Sequence, residues 1–195
     1  MNYLLNLDYK VFLWLNNFAD KSEFFDKLVI FFGHTSVYVL VLVFLVYWFV
    51  TKDKIKVRTM IWSGVVSFIL SRLVFVEIIR IFISRQRPFV DYQVMQLIVK
   101  DAEKSFPSGH SASLFAIALA IYFYNKKLGY GMFVLAFLAS FSRVIGGIHY
   151  FGDILGGAII GLLAGWIIKK YYTKVLLHGQ KLSEICDRIL SFTTR

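Results

Sequence analysis

The sequence predicts an all-α integral membrane protein with five to six transmembrane helices and an interfacial helix at its N-terminus. Of its 195 residues, 58% are hydrophobic, which exceeds the roughly 45–50% apolar content of typical soluble domains. Apolar runs long enough to cross a bilayer alternate with short basic clusters, and the formal net charge is +10. Because the basic residues fall between apolar runs rather than along one surface, they indicate membrane topology and not nucleic acid binding.

The first twenty residues have the pattern of an amphipathic helix that lies in the membrane interface. Polar residues such as Asn6 and Lys10 interrupt the apolar character on the rest of this predicted helix. Its apolar side chains recur at helical spacing, at Leu4, Leu7, Val11, Leu15 and Phe18. Such a helix buries one face at the lipid headgroups without crossing the bilayer. We therefore assign 1–20 as an interfacial helix. If this helix were counted as a span, the number of transmembrane helices would be six.

Segment 28–172 is predicted to form the transmembrane core of a single domain, 1–195. Its first run, 28–51, carries no formal charge and exceeds the about 20 residues that cross the hydrocarbon of a bilayer. We expect His34 within this run to be a structural residue satisfied by a neighbouring helix. The remaining residues, 173–195, are predicted to form a cytoplasmic amphipathic tail. The other predicted spans are 59–83, 109–125, 128–142 and 154–168.

Short basic clusters mark one end of these spans. They lie at 52–58, 126–127 and 169–170. Because short loops rich in lysine and arginine are retained in the cytoplasm, the connectors 84–108 and 142–153 are expected to meet on the opposite, extracytoplasmic face. The sequence thus predicts a multi-pass protein of the cell membrane whose pocket opens outside.

Charged side chains inside the second predicted span need an explanation. Arg72, Glu77 and Arg80 all lie within 59–83. Charges in a span are costly and normally face a partner or a polar cavity, and Glu77 and Arg80 are spaced to pair along a helix. A purely structural role for Arg72 and Glu77 is an equal alternative.

Glycines at a spacing of four indicate close helix packing in the last predicted span. They are Gly157, Gly161 and Gly165. A stripe of small residues lets the backbone of another helix approach closely. We interpret this stripe as a packing signal and assign it no chemistry.

The first of three candidate constellations is the stretch RIFISRQRP at 80–88. Arg80 and Arg87 are seven residues apart, so their side chains leave from similar faces if the helix persists, and Pro88 predicts that the helix ends at Arg87. Arginine binds phosphate oxygens with a planar fork. A basic span terminus is the alternative, but external arginines oppose the positive-inside trend, and a phosphate ligand would explain them.

The second constellation is Pro107, Ser108, Gly109 and His110, at the start of the third predicted span. Proline and serine are typical of helix starts, and glycine permits close approach, so free backbone amides here could receive an anion. A well-capped helix without a ligand is the alternative. A histidine that directly follows such a cap at membrane depth favours function.

The third constellation, SRVIGGIHYFGD at 142–153, contains Ser142, Arg143, His149 and Asp153. If a helix begins at His149, Asp153 lies one turn away on the same face, where its carboxylate can hold the imidazole in one tautomer. An oriented imidazole beside an arginine can attack phosphorus. The alternative is an inter-helix turn with a capping histidine and an interfacial arginine.

Together these motifs resemble the three signature motifs of the type 2 phosphatidic acid phosphatase superfamily. The resemblance implies that His149 is the nucleophile, that Asp153 orients it and that His110 is the general acid. It further implies that phosphate is held by Arg80, Arg87, Ser108, Gly109 and Arg143. One position departs from the pattern, because the first motif usually begins with lysine and here begins with Arg80, a wider fork with a different phosphate contact.

Within the superfamily, the short chain and its layout resemble the bacitracin-resistance type of undecaprenyl-diphosphate phosphatase. This resemblance implies hydrolysis of undecaprenyl diphosphate to undecaprenyl phosphate and phosphate, which recycles the cell-wall lipid carrier. The substrate partner would be a polyprenyl diphosphate in the membrane, and arginines in place of an acidic cluster predict that no metal or other cofactor is needed. The sequence leaves oligomeric state open.

Two rival functions remain at this point. One is a broader lipid phosphatase that acts on phosphatidic acid or phosphatidylglycerophosphate. The other is a non-catalytic membrane protein, such as a permease component, that binds lipid phosphate or bacitracin and needs neither histidine for chemistry. A simple anion site does not require two histidines and an orienting aspartate, which favours an enzyme.

Overall fold

A computed structural model describes residues 2–51 and 53–171, with isolated positions from 174 to 188. These residues form helices and connecting segments, without a strand among them. The tail predicted over 173–195 lies largely outside the described residues. The helices are α1 Asn2–Asn16, α2 Glu23–Ile30, α3 Ser36–Val50, α4 Lys54–Phe68, α5 Val76–Phe82, α6 Pro88–Asp91, α7 Gly109–Tyr122, α8 Lys126–Ile145 and α9 Phe151–Lys170.

Helix α1 forms within the predicted N-terminal segment and docks against the ends of α8 and α9. Phe12 and Leu15 are buried there beside Val144 and Ile154. The Asn16 side-chain amide donates to the carbonyls of Met95 and Ile145 at 2.7 and 2.8 Å, which fixes the end of α1. The helix is therefore confirmed, and its place in the membrane interface stays a prediction.

Two π-helical segments interrupt the first two predicted spans. The first π segment, Phe31–Thr35, separates α2 from α3, and the helical pair is bent by 58°. The second π segment, Ile69–Phe75, joins α4 to α5. The predicted span 28–51 is thus interrupted by a bend, close to the point where the Gly33 carbonyl accepts a hydrogen bond from Arg143 of α8.

Among the described residues, two helices are long and apolar enough to cross a membrane, α8 and α9, or three if the bent pair of α2 and α3 forms one span. Helix α7 is apolar but shorter than a full span. The structure thus confirms an all-helical fold with apolar helices in its described part, while five to six spans remain a prediction.

Two predicted helix boundaries need correction. The helix expected to continue to Arg87 ends at Phe82, because Ile83 is extended and Arg87, which precedes Pro88, also has an extended conformation. Helix α8 continues to Ile145, so Ser142 and Arg143 lie in its last turns and not in the connector.

Helix α7 lies at the centre of the bundle and packs against α4, α8 and α9. A Cβ on Gly157 would lie 2.8 Å from the Ser111 side chain, and one on Gly161 would collide with the Ala112 carbonyl. Gly165 packs on α7 in the same way. The predicted close packing of this glycine stripe is confirmed.

The site connectors and the basic clusters lie at opposite ends of the helices. Helices α7 and α9 begin at the connectors. Helix α8 runs the other way, because it begins at the basic residue Lys126 and ends at the second connector. At the other end, the Lys169 ammonium of α9 lies 4.2 Å above the Phe123 ring that ends α7. The two connectors also touch, since the Ile98 amide donates to the Gly146 carbonyl at 3.3 Å. The two connectors therefore form one surface.

Candidate active site

His149 lies buried in the turn between α8 and α9, with both ring nitrogens in contact with partners. Its Nδ1 is 3.4 Å from Asp153 Oδ2 and 3.3 Å from Ser105 Oγ, and its Nε2 is 3.2 Å from Arg87 Nη1. A guanidinium can only donate, so Nε2 must accept and the proton must lie on Nδ1. The contacts therefore select the tautomer whose Nε2 lone pair faces an arginine.

Asp153 is fully buried and uses both carboxylate oxygens. Oδ2 accepts from the Ser105 hydroxyl at 2.5 Å and from the Tyr150 amide at 2.9 Å, and Oδ1 accepts from Arg85 at 3.0 Å. Helix α9 begins at Phe151, so His149 precedes the helix and does not start it as expected. The four-residue spacing still brings the imidazole to the carboxylate, which lies in the positive first turn of α9.

The protonation of His149 follows from its burial. Desolvation lowers its pKa to about 4 from the ordinary 6.5, and the hydrogen bond and negative charge of Asp153 only partly oppose that shift. The imidazole is therefore neutral near pH 7. Burial and the charge of Arg80 likewise lower the pKa of Arg87, so the pocket contains positive charge that an anion would stabilise.

Several buried donors around His149 have no hydrogen-bond partner among the described residues. They are the Nε atoms of Arg80, Arg87 and Arg143 and the hydroxyl of Ser108. Buried polar groups are normally paired, so unpaired donors on residues of all three constellations favour a missing acceptor. Each of these four residues was predicted from the sequence to bind phosphate.

The remaining contacts of these residues hold them in place. Arg143 donates from Nη1 to the Gly33 carbonyl at 2.7 Å, and Arg80 donates from Nη2 to the Pro107 carbonyl at 3.3 Å. The Ser108 amide donates to the backbone carbonyl of Asp153 at 3.0 Å. The three sequence constellations thus meet in one place, as their combination predicted.

Gly109 and His110 form the start of α7, directly after Ser108. Ser108 caps α7 without a side-chain hydrogen bond, and a Cβ on Gly109 would lie 2.6 Å from Arg72 Nε, so a larger residue there would force that guanidinium to shift. His110 is half-buried and lines a cavity of about 540 Å³ together with His34 and Arg72.

Sequence reasoning missed Arg85, Ser105 and Asp8. Arg85 Nη2 pairs with Asp8 Oδ2 of α1 at 2.7 Å while its Nη1 contacts Asp153, and its guanidinium lies 3.8 Å above the Tyr150 ring. Arg85 stands two residues before Arg87 in an extended segment, so the two could have been expected to share a face. Ser105 and Asp8 carry no such signal.

The charges of the second predicted span also find partners. Glu77 contacts Arg80 at 3.5 Å, which confirms the predicted pair, and Arg72 forms an ion pair with the same carboxylate. Within the described part of the chain, no group of three or more His, Cys, Asp or Glu side chains could hold a metal ion.

The chain is similar to known membrane phosphatases along most of its length. The family model of the PAP2 superfamily matches residues 61–176. The chain is 26% identical over 165 residues to the undecaprenyl-diphosphatase BcrC of Bacillus subtilis (strain 168), which covers 85% of this chain and 84% of that protein. It is 30% identical over 180 residues to a Bacillus licheniformis protein named bacitracin transport permease protein BcrC, which covers 92% of this chain and 86% of that protein.

Two crystal structures share the fold. Aquifex aeolicus LpxE superposes with a TM-score of 0.69 at 28% identity, over 85% of this chain and 96% of that one. A PAP2-type phosphatidylglycerolphosphate phosphatase from Bacillus subtilis superposes with a TM-score of 0.66 at 22% identity, over 89% of this chain and 88% of that one.

Proposed function

This chain belongs to the PAP2 superfamily, and we propose that it hydrolyses undecaprenyl diphosphate to undecaprenyl phosphate and inorganic phosphate at the outer face of the cell membrane. The observation that carries the proposal is the position of His149, whose Nε2 faces Arg87 while Nδ1 is held by Asp153 and Ser105. A neutral imidazole held in this way is a nucleophile directed at the place where an anion would bind.

In the proposed first step, Nε2 of His149 attacks the terminal phosphorus and the bond from that phosphorus to the bridging oxygen breaks. His110 gives a proton to the bridging oxygen, which leaves on the lipid phosphate. Asp153 stabilises the imidazolium character that develops. The charge on the equatorial oxygens is met by the free donors of Arg80, Arg87 and Arg143, with Ser108 and the amide region of Gly109.

In the proposed second step, water attacks the phosphohistidine while His110, now neutral, accepts its proton. The phosphorus–nitrogen bond breaks, inorganic phosphate leaves and His149 returns to its starting tautomer with the Nδ1 proton held by Asp153. Arg87 has two roles in this cycle. Before substrate binds, its Nη1 donates to the Nε2 lone pair of His149 at 3.2 Å. When substrate binds, Arg87 must turn to the phosphate so that the Nε2 lone pair is free to attack.

The choice of undecaprenyl diphosphate as the substrate is part of the proposal. It is favoured by the similarity to the Bacillus subtilis undecaprenyl-diphosphatase over 85% of this chain. Turnover by the protein purified in detergent, measured as phosphate release, would rank undecaprenyl diphosphate against phosphatidic acid and phosphatidylglycerophosphate. A preference for either glycerolipid would replace the proposed substrate, and no release from any of them would leave a non-catalytic lipid-phosphate binder.

Metal independence is part of the same proposal, since arginines can provide the charge that magnesium provides elsewhere. Excess chelator should change the rate of phosphate release by less than about twofold. Loss of activity on chelation that magnesium alone restores would contradict the arginine account.

The proposed topology has its own test. The basic ends of α4, α8 and α9 lie opposite the connectors, and retention of basic ends in the cytoplasm would expose the connectors outside. Single cysteines introduced at Gln93 and at Lys56, in a background that lacks Cys186, would report this with an impermeant reagent on intact cells. Labelling at position 56 with protection at position 93 would invert the topology.

A further inference from the structure

Each of the two π-helical segments contributes one ionisable side chain to the same cavity. The first π segment carries His34, and the second carries Arg72. Both line the cavity of about 540 Å³ that His110 also lines. π-Helical turns are rare and are frequent at functional sites because they redirect side chains that an α-helix would point elsewhere.

The cavity adjoins the candidate phosphate-binding residues at two points. Arg72 packs directly on Gly109, where a Cβ would lie 2.6 Å from its Nε. Gly33, the neighbour of His34, accepts a hydrogen bond from Arg143 at 2.7 Å. The polar end of the cavity, formed by His34 and Arg72, therefore adjoins the residues that surround His149.

The charge at this end favours an anion. Arg72 and Arg80 share the carboxylate of Glu77, and the described lining of the first cavity contains no acidic side chain. Arg72 also lines a second cavity of about 360 Å³, whose other charged lining residues are Arg80, Lys104, Glu77 and Glu103. The rest of the lining of the first cavity is largely apolar and includes Leu40, Phe68, Leu114 and Ile117.

We propose that Arg72 and His34 form a subsite for the lipid-linked phosphate of a diphosphate substrate, and that the apolar part of this cavity receives the first units of its tail. The inference rests on the proposed function. If the terminal phosphorus lies at His149 and His110 protonates the bridging oxygen, the second phosphorus must lie on the His110 side, which is the side of this cavity. A monophosphate lipid has no group for this subsite, so Arg72 and His34 would determine the preference for diphosphates.

Binding of two non-hydrolysable lipids separates this subsite from the catalytic pocket. The probes are farnesyl methylenediphosphonate and farnesyl phosphonate, titrated calorimetrically into the protein in detergent. Arg72→Met should weaken the diphosphonate about 10- to 100-fold, the loss expected for charge-assisted hydrogen bonds, and the monophosphonate less than about threefold. His34→Gln should act in the same direction with a smaller effect.

Two further variants serve as controls for the effect of Arg72→Met. Arg72→Lys keeps the charge without the fork and should recover part of the diphosphonate affinity. Lys27→Met removes an exposed cation of α2 that lies outside both cavities, and it should leave both affinities unchanged. If Arg72→Met does not fold, as judged by its melting temperature, His34→Gln alone decides.

The outcomes for the subsite and for the enzyme are distinguishable. Equal loss of both probes, or of neither, in the folded variants would overturn the subsite even if the wild-type protein hydrolyses farnesyl diphosphate. Selective loss of the diphosphonate in a protein without turnover would uphold the subsite and overturn the proposed function.

Discussion

The two histidines of the site differ in how they are held. His149 is buried, with Asp153 and Ser105 at one nitrogen and Arg87 at the other. His110 is half-buried and faces the larger cavity, and its side chain makes no hydrogen bond within the part of the chain that the structure describes. The difference suggests that the nucleophile is positioned before substrate arrives, whereas the proton donor is positioned by the substrate itself.

The residues that hold His149 and those that surround His110 differ in the same way. His149 depends on residues far apart in sequence, since Asp8 of α1, Arg85 of the connector and Asp153 of α9 form one continuous chain of ion pairs. The His110 side is formed by the bent and π-helical segments around α7. Ion pairs therefore hold the His149 side in place, whereas the His110 side borders a cavity that a ligand can enter.

The largest effect is expected for His149→Ala. Loss of the nucleophile should reduce turnover of the lipid diphosphate by about 10⁴-fold or more and abolish the phosphoenzyme. Rapid-quench trapping of acid-labile, base-stable phosphate on the protein measures both. His178→Ala, which removes an exposed histidine outside the site, is the matched control and should behave as wild type.

The comparison would be reversed by one result of that experiment. If the His149→Ala protein traps label as well as wild type, while the His110→Ala protein cannot do so even with an activated substrate, then His110 is the nucleophile. The saturated contacts of His149 would then be structural.

His110→Ala should have the next largest effect, and it should depend on the leaving group. Without a general acid, hydrolysis of the lipid diphosphate should slow about 10²- to 10⁴-fold. With para-nitrophenyl phosphate, whose leaving group needs no proton, phosphohistidine should still form because His149 is intact. Equal slowing of phosphohistidine formation with both substrates would show that His110 does more than transfer a proton.

A smaller effect is expected at the outer end of the ion-pair chain. Asp8 contacts Arg85 at 2.7 Å and also accepts from the Gly152 amide at 2.7 Å, so it supports both the arginine behind Asp153 and the start of α9. Asp8→Asn should lower kcat about 3- to 30-fold with KM nearly unchanged and cost about 1 kcal/mol of stability.

Two variants test whether Asp8 acts through position. Asp8→Glu should restore part of kcat, since it keeps the charge. Glu23→Gln breaks an exposed ion pair with Lys27 on α2 and should leave kcat unchanged. A change in KM alone for Asp8→Asn would move Asp8 to substrate binding and would detach α1 from the support of His149.

The sequence was sufficient for the parts of the site that lie within short spacings or recognisable motifs. The four-residue spacing brought His149 to Asp153, and Arg87 of the first constellation contacts His149 of the third. The glycine stripe of α9 likewise predicted its close packing on α7. Each of these inferences depends on local geometry or on a pattern of several residues.

The parts that could not be predicted depend on tertiary contacts. Arg85 is separated from Asp153 by 68 positions, and nothing near Asp8 in the sequence indicates its partner. The helix that ends at Phe82 was expected to reach Arg87, because periodicity does not reveal that 83–87 extends toward Asp153 and His149. The bend at Gly33 similarly lies where Arg143, a residue of another helix, donates to the Gly33 carbonyl.

The smallest expected effect is a displacement of the pH profile, and it tests the electrostatic environment of His149 directly. Only the neutral imidazole has a lone pair at Nε2, and burial lowers its pKa to about 4, so the acid limb of kcat/KM attributable to His149 should lie near pH 4 and not near 6.5.

Asp153 raises the pKa of His149 and Arg87 lowers it. Asp153→Asn should therefore move the limb to lower pH, and Arg87→Met should move it to higher pH, with the smaller displacement for Arg87→Met. Ionisation of the substrate phosphate is common to all three proteins, so opposite displacements relative to wild type can come only from the protein. Displacement of both variants in the same direction would mean that the limb belongs to another group, and His149 would lose the charge environment on which its contrast with His110 depends.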